Sequence, residues 1–371
     1  MRSLISIAIL SAIPVVPLTP VLAFQTLHPS SSTKDVSWLN EIQTPPDSAA
    51  DEPADLTPLL IDPVTGNFSE SVESWQRQRA VIRLQWQEFL QPLEPPAKLP
   101  EMTEIESESI GEVTRIRIAY DSGDQWPTEA YLLKPKNIQG KVPGVAVFHS
   151  TVDHSIRQPA GVEGRSQLAF GLKLAQLGYV VICPRNYLWP DNDKIQANEQ
   201  ADRFHQQHPD SKGMAKMLFD AQLAVDILTS QSEVDATRIG AIGHSLGAKE
   251  VLYLAAFDER IKMTISSEGG IGTRFSNWDA PWYLGSSIQR EDFRHEHHEL
   301  LAMIAPRPFL LIGGDSADGD KSWPFIAAAL PVYQLYADPA PLGVFNHKQG
   351  HAVPAEAEKR IYEWIETYLP L

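Results

Sequence analysis

One stretch constrains this 371-residue chain more than any other. Residues 238–256 read Arg-Ile-Gly-Ala-Ile-Gly-His-Ser-Leu-Gly-Ala-Lys-Glu-Val-Leu-Tyr-Leu-Ala-Ala. Residues 239–242 form a short, mostly apolar run of the kind that makes a buried strand. Gly243-His244-Ser245-Leu246-Gly247 is a tight turn, and residues 248–256 are strong helix-forming sequence. A serine on such a turn is forced into a strained backbone conformation that lifts its Oγ clear of the sheet. The positions two before and two after it crowd together, so Gly243 and Gly247 fit where larger side chains would clash. The helix behind the serine points its free N–H groups and positive dipole end at the same spot.

The surrounding pattern supplies the rest of a sheet. Residues 113–120 alternate apolar with polar, residues 121–127 turn, and residues 128–133 return as a hairpin partner. Buried strands are expected at 144–148, 179–182, 261–265, 309–312 and 342–345. Helices are expected at 167–177, 214–230 and 355–369, the first closed by Gly178. Two antiparallel strands followed by strand–helix alternation predict an α/β class. The expected architecture is a mostly parallel sheet with an N-terminal antiparallel hairpin and helices on both faces. Residues 186–212 and 269–304 are long interruptions after strands, positioned to wall a pocket at the carboxyl edge of the sheet.

The formal net charge of −16 argues against nucleic acid as a partner, since such binding needs clustered Lys and Arg. The single cysteine, Cys183, excludes an internal disulfide. It sits in an apolar strand run without an activating neighbour, so a buried thiol is expected and a cysteine nucleophile is the sharper alternative. Residues 1–23 read as a secretory signal: Arg2, an apolar segment over 4–16, and Val21-Leu22-Ala23 as a cleavage site. Pro14, Pro17 and Pro20 break the apolar stretch, which argues against a membrane anchor. A secreted or periplasmic protein with no stable membrane insertion after signal removal is expected. Residues 24–100 read as a Pro-rich lead-in with one helix over 71–90, and residues 101–371 as the catalytic domain.

Serine is a poor nucleophile unless a base takes its proton. Among the 11 histidines, His351 follows the last expected strand and precedes the final helix, and is preferred over His347. A carboxylate to orient that histidine has several candidates. Asp318 is favoured over Asp315 in the run after 309–312, and Glu268 directly follows 261–265. Two backbone N–H groups are needed to hold an oxyanion. One is expected from Leu246 and the other from the loop His149-Ser150-Thr151, assigned to Ser150. Trp278, Trp282 and Tyr283 are candidates for lining a substrate pocket, with core packing as the alternative. His295-Glu296-His297-His298-Glu299 does not match His-Glu-x-x-His and reads as a polar helix start, so no metal and no cofactor are expected.

From about residue 112 onward the chain resembles the α/β-hydrolase esterases, in which Gly-x-Ser-x-Gly between strand and helix is the nucleophile elbow. It looks closest to dienelactone-hydrolase-like and acetyl-xylan-esterase-like proteins. The matching features are the hairpin strands, His149, Gly243 to Gly247, Ala305-Pro306-Arg307-Pro308 and Gly350-His351. A narrower stretch is similar to glucuronoyl esterases: Ser245 to Lys249, then Glu259 to Gly270. That resemblance implies Glu268 as the triad acid and Lys249 as a sugar contact. Leu246 departs from it, since that family has arginine beside the serine. Dienelactone hydrolases proper use a cysteine nucleophile; Ser245 at that position favours ordinary carboxylic esters. Together with the expected signal, the resemblance implies a secreted serine hydrolase acting on a small-molecule or carbohydrate ester, with acetyl or uronoyl esters as candidates. A serine peptidase of the prolyl-oligopeptidase type and a catalytically inactive hydrolase-fold binding protein are the alternatives.

Overall fold

Val145 and Val147 point to one face of a central strand and Ala146 and Phe148 to the other, and each pair enters a separate apolar core. Successive strand side chains alternate between faces, so a strand covered on both sides reads as a continuous apolar run. In this computed structural model, which describes residues 35–47, 56–123, 126–191 and 194–371, that logic organises a nine-stranded sheet. The signal expected over residues 1–23 lies outside the described residues.

The strands are β1 (Thr103–Ile110), β2 (Val113–Asp121), β3 (Pro127–Pro135), β4 (Val142–Phe148), β5 (Val180–Pro184), β6 (Val234–His244), β7 (Ile261–Ser267), β8 (Phe309–Gly313) and β9 (Leu342–Asn346). Their order is β1-β2-β3-β5-β4-β6-β7-β8-β9. The first three run antiparallel, β3 pairs antiparallel with β5, and every pair from β5 to β9 is parallel. After β4 the chain steps outward to β5 and then back across β4 to β6. The carboxyl ends of β4 and β6 therefore flank a topological switch point, where open α/β sheets place their ligands.

The helices are α1 (Leu39–Ile42), α2 (Val72–Leu90), α3 (Phe170–Leu177), α4 (Ala197–Gln207), α5 (Gly213–Thr229), α6 (Leu246–Phe257), α7 (His297–Ile304), α8 (Trp323–Gln334) and α9 (Ala355–Tyr368). α1, α3 and α9 cover one face and α2, α5, α6, α7 and α8 the other. Gly178 ends α3 in the left-handed conformation, as expected of a C-terminal glycine.

Within residues 101–371, three elements were not anticipated. β1 is exposed along its length and reads as polar sequence; it is held to β2 by ion pairs of Arg115 with Glu108 and Arg117 with Glu106. Such charge is how edge strands avoid pairing with other chains. α4 lies inside the polar stretch 186–212, with Ala201 and Phe204 buried. α8 carries Pro324 in its first turn and Pro331 inside, which masks its helical period.

The segment expected as a lead-in with one helix carries two, and both reach the core. Leu39 and Ile42 of α1 are buried, and Ile42 covers the backbone of Gly343 on β9. α2 is capped by Ser71, whose Oγ accepts from Ser74 N–H at 3.1 Å. Its Trp75, Ile82, Trp86 and Leu90 are buried, each aliphatic one contributing about 1.5–3 kcal/mol. Arg79 and Arg83 donate to the carbonyls of Met303 and Phe257 at the last turns of α7 and α6. The described residues between 35 and 371 form one compact unit.

Candidate active site

Ser245 sits between β6 and α6 at φ 60° and ψ −114°, a conformation rare for a residue with a Cβ. Its N–H donates to the Ser267 carbonyl at 2.8 Å, which ties the turn to the end of β7. A Cβ at Gly243 would run into the Gly247 carbonyl, and one at Gly247 into the Phe148 carbonyl, so both glycines answer close backbone approach.

Glu268 follows β7 directly, at φ 56°. Its N–H donates to the Ile312 carbonyl at 2.9 Å. Its buried carboxylate accepts from the amides of Gly314 and Ala317 and from Nδ1 of His351 at 3.2 Å. Burial pushes this carboxyl up, but the His351 bond and the two amides outweigh it and hold it below the ordinary glutamate value. His351 is half-exposed. Its loop is strapped to the end of β8 by Gly350 N–H on the Gly314 carbonyl at 2.6 Å and His347 N–H on the Gly313 carbonyl at 2.9 Å. His244 packs against the His351 ring with centroids 4.8 Å apart, and its Nδ1 bonds Ser267 Oγ at 2.9 Å.

The structure does not bring Asp318 or Asp315 to His351. Asp318 is fully buried and accepts from the amides of Gly270 and Ile271, both at 2.7 Å, and from Ser322 Oγ at 2.9 Å. Asp315 is exposed and accepts from Asn346 Nδ2 at 2.6 Å. His347 is buried beside Gly314 and its Nδ1 accepts from Gln349 N–H at 3.1 Å.

Leu246 N–H is the first amide of α6, so it has no acceptor within the helix and stands beside Ser245. The Ser150 amide, expected as its partner, donates instead to Gln158 Oε1 at 3.0 Å. The next amide, Thr151, has no acceptor among the described residues. Thr151, Ser245, Leu246, Lys249, Glu268 and His351 line one cavity of about 370 Å³, completed by Phe275, Ser276, Asn277, Tyr283, Ser316 and Ala317. Residues 275–277 lie in the interruption over 269–304 that the sequence placed as a pocket wall, whereas nothing in the sequence singled out Ser316 and Ala317, which come from a loop without periodicity.

Lys249 is buried in the floor, where Nζ donates to the Gly269 carbonyl at 2.6 Å and lies 3.9 Å from the Trp278 ring centroid. Burial pulls its ammonium down to about 7, against which Asp318 pulls upward. Trp278 supports Lys249 from beneath: its Nε1 donates to the Gly270 carbonyl at 2.7 Å and its ring does not reach the cavity. Trp282 does not line the cavity either; its backbone packs on Gly213. Of the three aromatic candidates only Tyr283 lines it. A wider groove of about 900 Å³ lies between α2 and residues 287–295, but it contains none of these groups.

The His-rich stretch opens α7 with Glu296 as its cap. His297 is held by Tyr253 Oη and the Ile271 carbonyl, His298 by the Thr57 carbonyl, and Glu299 by Trp86 Nε1, so these side chains lock α2 and α6 to the domain. Cys183 is buried against Gly171, and burial pushes its thiol up and away from thiolate chemistry.

Residues 128–280 match the dienelactone hydrolase family. The matched segment is similar to that family, and the nine-stranded sheet has the α/β-hydrolase architecture. That match includes Ser245 and Glu268 and ends before His351. The hydrolase YtaP of Bacillus subtilis (strain 168) is 29% identical over 199 residues, which cover 50% of this chain and 64% of YtaP. A carbohydrate esterase, MZ0003, from an unknown prokaryotic organism is 26% identical over 125 residues, 29% of this chain and 28% of that protein. The chain thus spans less than two thirds of the length of the curated relatives it matches. Among solved structures, a glucuronoyl esterase from Solibacter usitatus superposes with a TM-score of 0.66 at 18% identity, over 86% of this chain and 99% of that one. At that identity the likeness is one of fold.

Proposed function

We propose that this protein is an exported hydrolase of carboxylic esters borne by carbohydrates. Ser245 is its nucleophile, His351 its general base and Glu268 the acid that orients His351. The observation that carries this reading is the meeting of all three at one cavity, with Glu268 bonded to Nδ1 of His351. That bond leaves Nε2 of His351 for the serine proton, and the ionised carboxylate stabilises the imidazolium that forms.

In the first half-reaction Ser245 Oγ attacks the ester carbonyl while His351 takes its proton. The carbonyl electrons move onto oxygen, which accepts from the amides of Leu246 and Thr151. Collapse expels the alcohol, which leaves with the proton from His351, and an acyl-serine remains. Water then attacks the acyl carbon and gives its proton to His351, which returns it to Ser245 as the acid departs. The cavity wall favours a polyhydroxylated substrate: Thr151, Ser276, Asn277 and Ser316 offer hydrogen-bonding groups, and Lys249 a buried cation. Acetyl and uronoyl esters of polysaccharide fragments fit that polarity. Similarity to a carbohydrate esterase supports it. No helix among the described residues is long and apolar enough to cross a membrane.

The test is hydrolysis of a short-chain aryl acetate, then of acetylated and methyl-glucuronoylated xylan fragments, by the purified protein beside Ser245→Ala. Turnover lost by at least about 10³-fold in the variant supports the reading. Activity that survives in Ser245→Ala, or preference for an anilide over the esters, contradicts it.

A further inference from the structure

His149, the first residue after β4, is buried and makes two hydrogen bonds. The backbone N–H of Asn186 donates to its Nε2 at 3.1 Å, so Nε2 carries a lone pair and the ring proton is on Nδ1. That Nδ1–H donates to the Ser150 carbonyl at 2.8 Å, which also accepts from Val152 N–H at 2.9 Å. The Ser150 carbonyl and the Thr151 amide belong to one planar trans peptide, in which C=O and N–H point in opposite directions. A bond that pins the carbonyl toward His149 therefore turns Thr151 N–H the other way, and Thr151 lines the Ser245 cavity.

From this geometry we propose that His149, held by Asn186 and backed by Glu250, is a positioning residue that aims the Thr151 amide at the reacting carbonyl. The proposal deepens the ester-hydrolase reading above and rests on it. Asn186 is fixed at both ends of its side chain: Oδ1 accepts from Leu188 N–H and Nδ2 donates to Glu250 Oε1, both at 3.0 Å. Glu250 lies on α6, five residues beyond Ser245, and is itself buried. The network thus joins the helix that carries one oxyanion donor, Leu246, to the loop that carries the other. It fixes the spacing of two amides that come from distant parts of the chain.

The local chemistry suits a static strut. Burial pulls the His149 ring down to about 4, so it stays neutral with the tautomer the two bonds need. Trp189 packs edge-on against it, with ring centroids 4.7 Å apart. Burial, opposed by Asn186 and reinforced by Asp220, pushes the Glu250 carboxyl up to about 8, so it is neutral near pH 7 and needs no counter-ion.

Two variants test this, His149→Leu and His149→Asn, since an asparagine amide nitrogen can stand where Nδ1 stood. On an aryl acetate, His149→Leu should lower kcat by at least about 30-fold, toward the 10²–10³ of a lost oxyanion donor, with KM within about threefold. His149→Asn should recover kcat to within about fivefold of the parent. Crystal structures should show the Ser150–Thr151 peptide turned in His149→Leu and retained in His149→Asn. An equal loss in both variants, or an unmoved peptide in His149→Leu, overturns the proposal. If the parent protein shows no Ser245-dependent turnover, the hydrolase reading fails, and the peptide orientation in His149→Leu still decides whether His149 sets it.

Discussion

Glu268 and Asp318 stand just beyond the ends of adjacent strands, both buried, and each accepts two backbone amides. They part at the third bond. Glu268 spends it on the half-exposed imidazole of His351, Asp318 on the buried hydroxyl of Ser322. Their electrostatics diverge accordingly. Burial pushes Asp318 up, with Glu268 adding to the rise, and its amide and hydroxyl bonds only reduce the effect; Glu268, with a histidine partner, is held below its ordinary value. Burial and backbone bonding alone therefore do not separate the two carboxylates. The partner that faces the cavity does, and Asp318 instead braces the 270–271 turn, whose Gly270 carbonyl anchors Trp278 beneath Lys249.

This contrast can be broken at several points. Apart from replacing Ser245 or Glu268 themselves, the largest effect is expected at the strap that carries His351 to Glu268. A Cβ at Gly314 would meet the Gly350 carbonyl and the His347 ring, so Gly314→Ala should lower kcat by about 100-fold or more through a displaced His351. Steady-state kinetics on an aryl acetate, with a melting curve to show a folded variant, checks this. Next is Lys249→Met, which removes a charged donor worth about 1.5–3 kcal/mol and should raise KM for a sugar ester roughly tenfold or more, while kcat on the aryl acetate stays within about threefold.

A smaller kinetic effect is expected at Asp318. Asp318→Asn should leave kcat within about tenfold but cost about 1–3 kcal/mol in urea unfolding, because buried amides lose a charged acceptor. The smallest effect is a slope. The unfolded Lys249 ammonium keeps its proton up to about 10.5, whereas the folded one sheds it at about 7. Between those values the unfolded state binds more protons, so Lys249 makes stability rise with pH there. Lys249→Met should flatten that rise in unfolding free energies measured from pH 7 to 10.

The parallel sheet and the elbow were legible because their signals are local and redundant: apolar runs, glycines at fixed offsets from Ser245, and Gly178 closing α3. His351 and Glu268, the partners proposed for Ser245, were both legible as candidates, but reach favours Asp318 over Asp315 and leaves Glu268 beside them. Choosing among carboxylates requires knowing which turn points at His351, and that depends on Gly314 and Gly350 packing across two loops. The same holds for the second amide of the proposed oxyanion site. The loop His149-Ser150-Thr151 was found, yet which amide is free depends on Gln158 capturing that of Ser150. β1 and α1 escaped notice because they are held by ion pairs and by contacts with distant strands, with no period of their own.

The measurement that tests the central claim most directly is kcat/KM of Glu268→Gln beside Asp318→Asn, on one aryl acetate at pH 7. An acid that orients the catalytic histidine should cost about 10³–10⁴ in rate when made neutral. The account predicts a loss of that size for Glu268→Gln and less than about tenfold for Asp318→Asn. Equal losses, or the larger loss at Asp318, would contradict it.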